Sequence, residues 1–233
     1  MKIVVFTGAG ISAESGLSTF RDSDGLWENY RVEDVCTAGA LEHNRKLVVN
    51  FYNERRRATM EAQPNAAHKA LAALEQYHDV QIITQNVDDL HERAGSTKVL
   101  HLHGELMKLR SSIDETATVP IEGWEQPLDA RHPDGSLLRP FIVFFGEGVP
   151  NFPTAVEMVR EAEVFIVVGT SLAVYPAASL LEYVKRGVKV YMVDPKAPTA
   201  SPYCDLIPIR EKASVGVPRV CEKLEDGQLT INN

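Results

Sequence analysis

The sequence predicts an α/β protein: a parallel sheet with helices on both faces, plus a smaller inserted helical and loop-rich subdomain. Three observations predict it. The chain opens on a short apolar run, Ile3 to Phe6, that gives way at Thr7 to a glycine-rich turn. Phe165 to Val168 is a continuous apolar run, as in a strand buried on both faces, and a helical stretch and a further run, Val188 to Val193, complete a βαβ unit. Between these units lie two amphipathic helical stretches and a long segment punctuated by proline and glycine, which a minimal sheet does not need.

Gly8, Ala9, Gly10, Ile11, Ser12 and Ala13 supply G-x-G-x-x-A, the Rossmann-like form of a strand turning into a helix over a dinucleotide pyrophosphate. Glycine there is expected to provide positive φ for the turn and to let backbone amides approach phosphates. By itself the motif fits a plain glycine-rich turn equally well. Phe20 to Tyr30, FRDSDGLWENY, has neither the helical nor the strand period and reads as a loop. A hydride-transferring dehydrogenase would have a second strand here, ending in an acid about 20 residues after the glycines. Glu28 and Glu33 lie near that distance without an apolar strand before them, which counts against that class.

Leu41 to Met60 reads as a helix, with Leu47, Val48 and Phe51 at helical spacing, followed by the charged Glu54, Arg55, Arg56 and Arg57. On charge pattern alone those arginines form a solvated stretch. Pro64 and Asn65 break the helix, and Asn65 is placed to N-cap a second one, Ala66 to Tyr77, with Leu71, Leu74 and Tyr77 on one stripe. Val80 to Thr84 is the next strand. Gln85, Asn86, Val87, Asp88 and Asp89 follow at its carboxyl end, where open parallel sheets bind ligands, although Asp88 and Asp89 fit equally as caps of a short helix ending near Gly95.

Val99 to His103 alternates, with Leu100 and Leu102 on one face and His101 and His103 on the other; a histidine so placed is by default structural. Residues 105–139 are the least patterned, and regular structure resumes with a strand in Leu137 to Glu147. Gly169, Thr170 and Ser171 form a small-residue turn suited to phosphate or ribose, a helix spans about Ala177 to Arg186, and Gly187 stops it. Asp194 ends the last run, either as an acid for ribose hydroxyls, favouring NAD over NADP, or as the start of a turn with Pro195.

The 233 residues are 44% hydrophobic and 24% charged, ordinary globular values, with a net charge of −8 that disfavours broad binding to nucleic acid or anionic membrane. Cys36, Cys204 and Cys221 match neither a disulfide framework nor a C-x-x-C metal pair, and no apolar run approaches the ~18 residues of a membrane span. The N-terminus enters a strand without a signal-like segment, so a soluble cytoplasmic protein is expected.

GAGIS at 8–12, FRDSDGLW at 20–27, TQNVDDLH at 84–91, LHG at 102–104, LRPFIVFFGE at 138–147 and GTSLAVYPA at 169–177 occur in an order and at spacings that resemble the sirtuins, the NAD-dependent protein lysine deacylases. The resemblance runs from Lys2 to about Pro218. It implies one catalytic domain over residues 1–233, with a large lobe from about 1–30, 78–104 and 138–233 and a small lobe from about 31–77 and 105–137. NAD is then consumed: the acyl-lysine amide oxygen attacks the anomeric carbon of the nicotinamide ribose, nicotinamide leaves, and the acyl group passes to ADP-ribose.

By the same resemblance His103 is the general base, a role that suits an imidazole. Asn86 and Asp88 position the nicotinamide ribose and carboxamide, and Gln85 contacts ribose. Gly8, Ala9, Gly10, Ser12, Gly169, Thr170, Ser171, Asp194 and Ala213 belong to the dinucleotide site, Asp194 standing where the family usually has asparagine. Phe20, Arg21 and Trp27 lie in a loop that covers the reacting ribose and excludes water. Phe144, Phe145, Gly146 and Glu147, with Val174 and Tyr175, bind the substrate peptide as an added strand. Tyr52 and Arg55, three apart on a helix, match the Tyr-x-x-Arg pair that binds the acyl carboxylate in sirtuins removing succinyl or malonyl groups, a contact suited to a bidentate guanidinium. The partners implied are acylated lysines of proteins or peptides. Competing readings are an NAD glycohydrolase or ADP-ribosyltransferase on the same fold, and a non-catalytic sensor of NAD or ADP-ribose.

Most sirtuins carry two cysteine pairs between LHG and LRP that ligate zinc, whereas residues 105–139 here contain no cysteine, with Ser111 and Ser112 near where the first pair would begin. No structural zinc is expected. The segment must then be held by packing, with Trp124 and Leu128 as available anchors, or stay mobile.

Overall fold

A computed structural model describes residues 1–17 and 30–227. The elements run β1 (Lys2–Thr7), α1 (Gly10–Ala13), α2 (Val32–Val35), α3 (Ala40–Glu61), α4 (Ala66–Leu74), β2 (Asp79–Thr84), α5 (Leu90–Ala94), β3 (Val99–His101), β4 (Gly104–Ser111) and β5 (Thr118–Pro120). There follow β6 (Leu138–Ile142), α6 (Phe152–Glu161), β7 (Val164–Val168), a 3₁₀ helix (Ala177–Tyr183), β8 (Lys189–Val193), β9 (Asp205–Ile209) and α7 (Ala213–Glu225). Six parallel strands form one sheet in the order β3-β2-β1-β7-β8-β9. Strand order reverses between β1 and β7, so the crevice at their carboxyl ends is the switch point of the sheet.

Both faces of the sheet are covered, which is why its central strands read as unbroken apolar runs. Ile3 and Val5 face α4 and α7 through Leu71, Leu74, Val217, Val220 and Leu224. Val4 and Phe6 face α6 and the 3₁₀ helix through Ala155, Val159, Leu180 and Leu181. Among the described residues no helix is long and apolar enough to cross a membrane.

Several boundaries differ from expectation. The helix opened by Asn65 is capped as expected, with Asn65 Oδ1 accepting from the Ala67 amide and His68 returning a capping-box contact, but it ends at Leu74. Tyr77 therefore leaves the stripe and is 60% exposed. The stretch after Pro176 is a 3₁₀ turn over Ala177–Tyr183 rather than an α-helix to Arg186. At three residues per turn Ala178, Leu181 and Val184 align, as do Ala177 and Leu180, and all five are buried. The strand near Leu138 does not join the parallel sheet: β6 pairs antiparallel with β4, and β4 with β5, in a separate small sheet.

This small sheet packs on α3 around Val48, Phe51, Tyr52, Leu106, Ile142 and Phe144. Trp124 and Leu128 do not anchor the segment, being 39% and 41% exposed. Arg56 does. Far from lying in solvent, its side chain is fully buried, with Nε donating to Leu106 O at 2.9 Å and a terminal nitrogen to Asn53 Oδ1 at 2.6 Å and Trp124 O at 3.2 Å. Burial pulls the guanidinium down to about 10. Asn53 accepts from the Gln126 amide at 2.9 Å, and Gln126 Nε2 donates to Leu138 O at 2.8 Å. At the far end Ser111 Oγ bonds Ser136 Oγ at 2.9 Å and accepts from the Ile113 and Asp114 amides. Among the described residues no group of three or more His, Cys, Asp or Glu is placed to hold a metal ion.

Replacing Arg56 with Met leaves several buried acceptors unpaired and should cost roughly 3 kcal/mol in denaturant unfolding. Arg57→Met removes only an exposed pair with Glu61 and should change stability by less than about 0.5 kcal/mol.

Candidate active site

The two glycine turns at the switch point pack on each other. Gly8 donates to Val168 O at 3.0 Å and Gly10 to Gly169 O at 2.8 Å. A Cβ on Gly10 would sit 2.6 Å from Gly169 Cα, and one on Gly8 2.8 Å from Thr170 Cβ. Neither Gly8 nor Gly10 has positive φ, so that one of the two expected reasons for glycine does not hold, and what excludes a side chain is close approach to Gly169 and Thr170; the positive φ belongs to Gly169, at +58°. Ala9 stands just before α1, its carbonyl accepting from the Ser12 amide.

Polar side chains from β1, β2 and β7 meet beside these turns. Asn86 Nδ2 donates to Gly8 O at 3.2 Å and to Ser12 Oγ at 3.1 Å, and Ser12 donates onward to Asp88 Oδ2 at 3.0 Å. Asp88 Oδ1 also accepts from the amide of Leu90, the first residue of α5, while Asp89 occupies the N-cap position and makes no side-chain cap bond. Burial raises its carboxyl, partly offset by the Leu90 and Ser12 hydrogen bonds. Gln85 Nε2 donates to Thr170 Oγ1 at 2.9 Å, tying the ends of β2 and β7 together. Ser171 is exposed. Asp194, at the end of β8, is half-buried and its Oδ1 accepts from the Lys196 amide at 2.7 Å, the turn contact of the alternative reading. Ala213 starts α7 with its methyl in the core.

His103 follows β3 with its Nδ1 3.0 Å from Gln85 O. A carbonyl only accepts, so Nδ1 carries the hydrogen and Nε2 presents a lone pair. Burial lowers the pKa of this ring against the opposing effect of the Gln85 carbonyl, keeping it neutral at neutral pH. The ring thus presents an unprotonated Nε2 while its Nδ1 is held by the Gln85 carbonyl at the end of β2.

The expected substrate residues divide. Tyr52 is buried, with its hydroxyl 3.4 Å from Cys36 Sγ, and Arg55 on the next turn brings its guanidinium 5.9 Å from the Tyr52 ring centroid. Phe144 is buried and stacks on Tyr52 at 5.7 Å. Glu147 pairs with Arg139 at 2.6 Å and accepts from the Phe144 amide at 2.8 Å. Phe145 donates to Cys36 O and accepts from the Ala38 amide, so its main chain already pairs with the small lobe and is not left for an added strand. Gly146 has φ +94°. Phe145 and Tyr175 are 46% and 72% exposed, and Val174 is half-buried. Phe20, Arg21 and Trp27 lie outside the described residues. Arg139, whose guanidinium covers the Phe144 ring at 4.3 Å, was not legible as a site residue; its spacing from Glu147 was the available signal.

Residues 8–176 match the family model described as the Sir2 family. The chain belongs to the Sir2 family. It is similar to the NAD-dependent protein deacylase of Aggregatibacter actinomycetemcomitans, 56% identical over 84% of this chain and 94% of the relative, and to that of Bacteroides thetaiotaomicron, 50% identical over 92% and 94%. Among solved structures it superposes on a Sir2 homolog–NAD complex with a TM-score of 0.87 and 41% identity, covering 97% of this chain and 90% of that one. A mutant Sir2 homologue in complex with ADP-ribose gives a TM-score of 0.88 at 40% identity over 99% and 94%. The Sir2 crevice in this chain offers hydroxyl and amide groups from Ser12, Gln85, Asn86 and Thr170 at the switch point, a donor set that fits a dinucleotide.

Gly10→Ala should separate the two turns. Calorimetric titration with NAD is expected to show at least tenfold weaker binding, while Gly148→Ala, whose Cβ meets nothing within 4 Å and whose backbone is outside the left-handed region, leaves NAD affinity unchanged.

Proposed function

We propose that this chain is an NAD-dependent protein lysine deacylase acting on acetyl-lysine and on succinyl- or malonyl-lysine. The observation that carries the reading is the neutral His103 ring, its Nδ1–H bound to Gln85 O and its Nε2 left with a lone pair. Bound NAD supplies an activated glycosidic bond whose cleavage drives transfer of the acyl group from lysine to ADP-ribose.

The chain's own residues have separable tasks. Gly8 and Gly10 let the β1 turn lie close enough to Gly169 to shape the pyrophosphate cradle. Ser12, Asn86 and Asp88 hold one another, so the amide of Asn86 meets the nicotinamide ribose without reorganising. His103 Nε2 takes a proton from a ribose hydroxyl. Phe145, Gly146, Val174 and Tyr175 flank the substrate peptide, and Phe144 and Glu147 support that wall from within.

Incubation with NAD and acylated peptides is expected to release nicotinamide and O-acyl-ADP-ribose only when peptide is present. Nicotinamide release without peptide would make it a glycohydrolase, and no release a sensor. His103→Tyr should abolish acyl transfer with an unchanged circular dichroism spectrum. Because the base must be neutral and its pKa is lowered by burial, kcat/KM should be flat through neutral pH and fall only below the ordinary imidazole range.

Support for the acidic acyl groups is the shared face of Tyr52 and Arg55 on α3, with the Arg55 guanidinium over the Tyr52 ring and that ring stacked on Phe144. Arg55→Met should raise KM for a succinyl peptide at least tenfold and change that for an acetyl peptide by less than twofold. Equal effects on the two peptides would remove the carboxylate role.

A further inference from the structure

His101 and His103 reach successive carbonyls of the segment leaving β2. His103 Nδ1 lies 3.0 Å from Gln85 O, and His101 Nδ1 lies 2.9 Å from Asn86 O. The rings differ at the other nitrogen. His101 Nε2 stands 2.8 Å from Glu92 Oε1 on α5. A carbonyl oxygen and an ionised carboxylate both only accept, so the His101 ring satisfies both partners only with hydrogen on both nitrogens. Its main chain is fixed as well, the His101 carbonyl accepting from Asn151 Nδ2 at 2.8 Å. On the far side, the Asn86 amide N–H donates to Thr84 Oγ1 and its side chain to Gly8 O and Ser12 Oγ.

We propose that His101 is a positioning residue: an imidazolium clamped between Asn86 O and Glu92 that fixes the Asn86 backbone, and with it the direction of the Asn86 side chain and the carbonyl that sets the His103 tautomer. Its catalytic consequence rests on the deacylase reading; the clamp itself does not. The surroundings favour the cation. Glu92 on α5, Asp88 in the loop and Glu105 on β4 face the ring, with Lys108 held on Glu105 at 2.8 Å. The nearby histidines add no competing charge at neutral pH: burial drives His68 down to about 4 and His91 well below its ordinary value, their rings 4.9 Å apart. Burial of His101 itself opposes protonation, but the hydrogen bond and charge of Glu92 outweigh it and raise the ring. The same opposition, burial against the His101 contact, leaves Glu92 lowered and ionised.

Two histidines two residues apart thus take opposite states for a geometric reason. His103 has an acceptor on one nitrogen and stays a base; His101 has one on each and becomes a fixed cation.

The test is nitrogen-resolved NMR of the histidine rings in the full chain, assigned with His101→Gln, together with kinetics of Glu92→Gln. At pH 7.5 the His101 ring is expected to carry hydrogen on both nitrogens while His103 carries it on Nδ1 alone. Glu92 is 41% exposed, so Glu92→Gln should fold, and the His101 titration should move down in pH by about 1–3. In that variant kcat should fall progressively as pH rises from 6 to 8, where the native enzyme is flat, with KM for the acyl peptide changed less than twofold, and Glu92→Asp should restore part of the alkaline rate. A neutral His101 ring at pH 7.5 in the native chain, or a Glu92→Gln variant whose titration and alkaline limb do not move, would overturn the clamp. A doubly protonated ring in a chain without acyl transfer would leave the clamp standing and remove the deacylase reading instead.

Discussion

The constraint on which the crevice depends is backbone against backbone: the turn after β1 lying on the turn after β7 at the switch point of the sheet. Gly10 donates to Gly169 O at 2.8 Å, and there is no space between the chains for a Cβ at either position. Everything polar in the crevice takes its place from this contact. Asn86 reaches Gly8 O because the β1 turn is held down, and Gln85 reaches Thr170 because the β7 turn is held beside it. A dinucleotide cleft is therefore built first from shape and only then from donors, and single methyl groups at two glycines are enough to undo the arrangement.

The second constraint concerns how the small sheet is attached. A structural metal would join strands distant in sequence through one ion. Here Arg56 joins α3 to β4 and to the loop ahead of β6 through main-chain carbonyls, with Asn53 and Gln126 completing the contacts. A guanidinium suits this task because its donors are fixed in one plane and point in several directions at once. The arrangement is all or nothing, since a buried donor without its acceptor costs more than the bond contributes. Rigidity gained there passes to the adjacent Tyr52, which packs on Phe144, and Phe144 is covered by Arg139 in its pair with Glu147. The wall proposed to face the acyl group is thereby continuous with the small sheet.

What was legible in the sequence follows from the range of each interaction. The parallel strands, the cap at Asn65 and the polar ends of β1, β2 and β7 depend on period and near neighbours, and the chain shows them directly. Arg56 was obscured because three arginines in a row look alike. The distinguishing signal was phase: Val48, Tyr52, Arg56 and Thr59 fall on one stripe of α3, and all four are buried. The strand β4 was hidden for a different reason, since its pairing with β6 is irregular between Gly104 and Leu109 and the two-residue alternation breaks there. The need for glycine at positions 8 and 10 was visible, but positive φ was the wrong one of its two expected causes, and the neighbour that excludes a Cβ lies about 160 residues away in the chain.

The histidine pair shows why residue type at a site leaves the chemistry undetermined until partners are counted. His101 closes β3 and His103 lies just beyond it, and each has its Nδ1 against a main-chain carbonyl. One further acceptor, Glu92, separates a charged ring that holds the loop from a neutral ring able to take a proton. Had the carboxylate stood beside His103, protonation would have been favoured there and the lone pair on Nε2 lost. The short helix α5, whose first amide donates to Asp88, carries Glu92 to the edge strand, 2.8 Å from His101. Placement of one acid by one short helix thus divides the two histidines between support and chemistry.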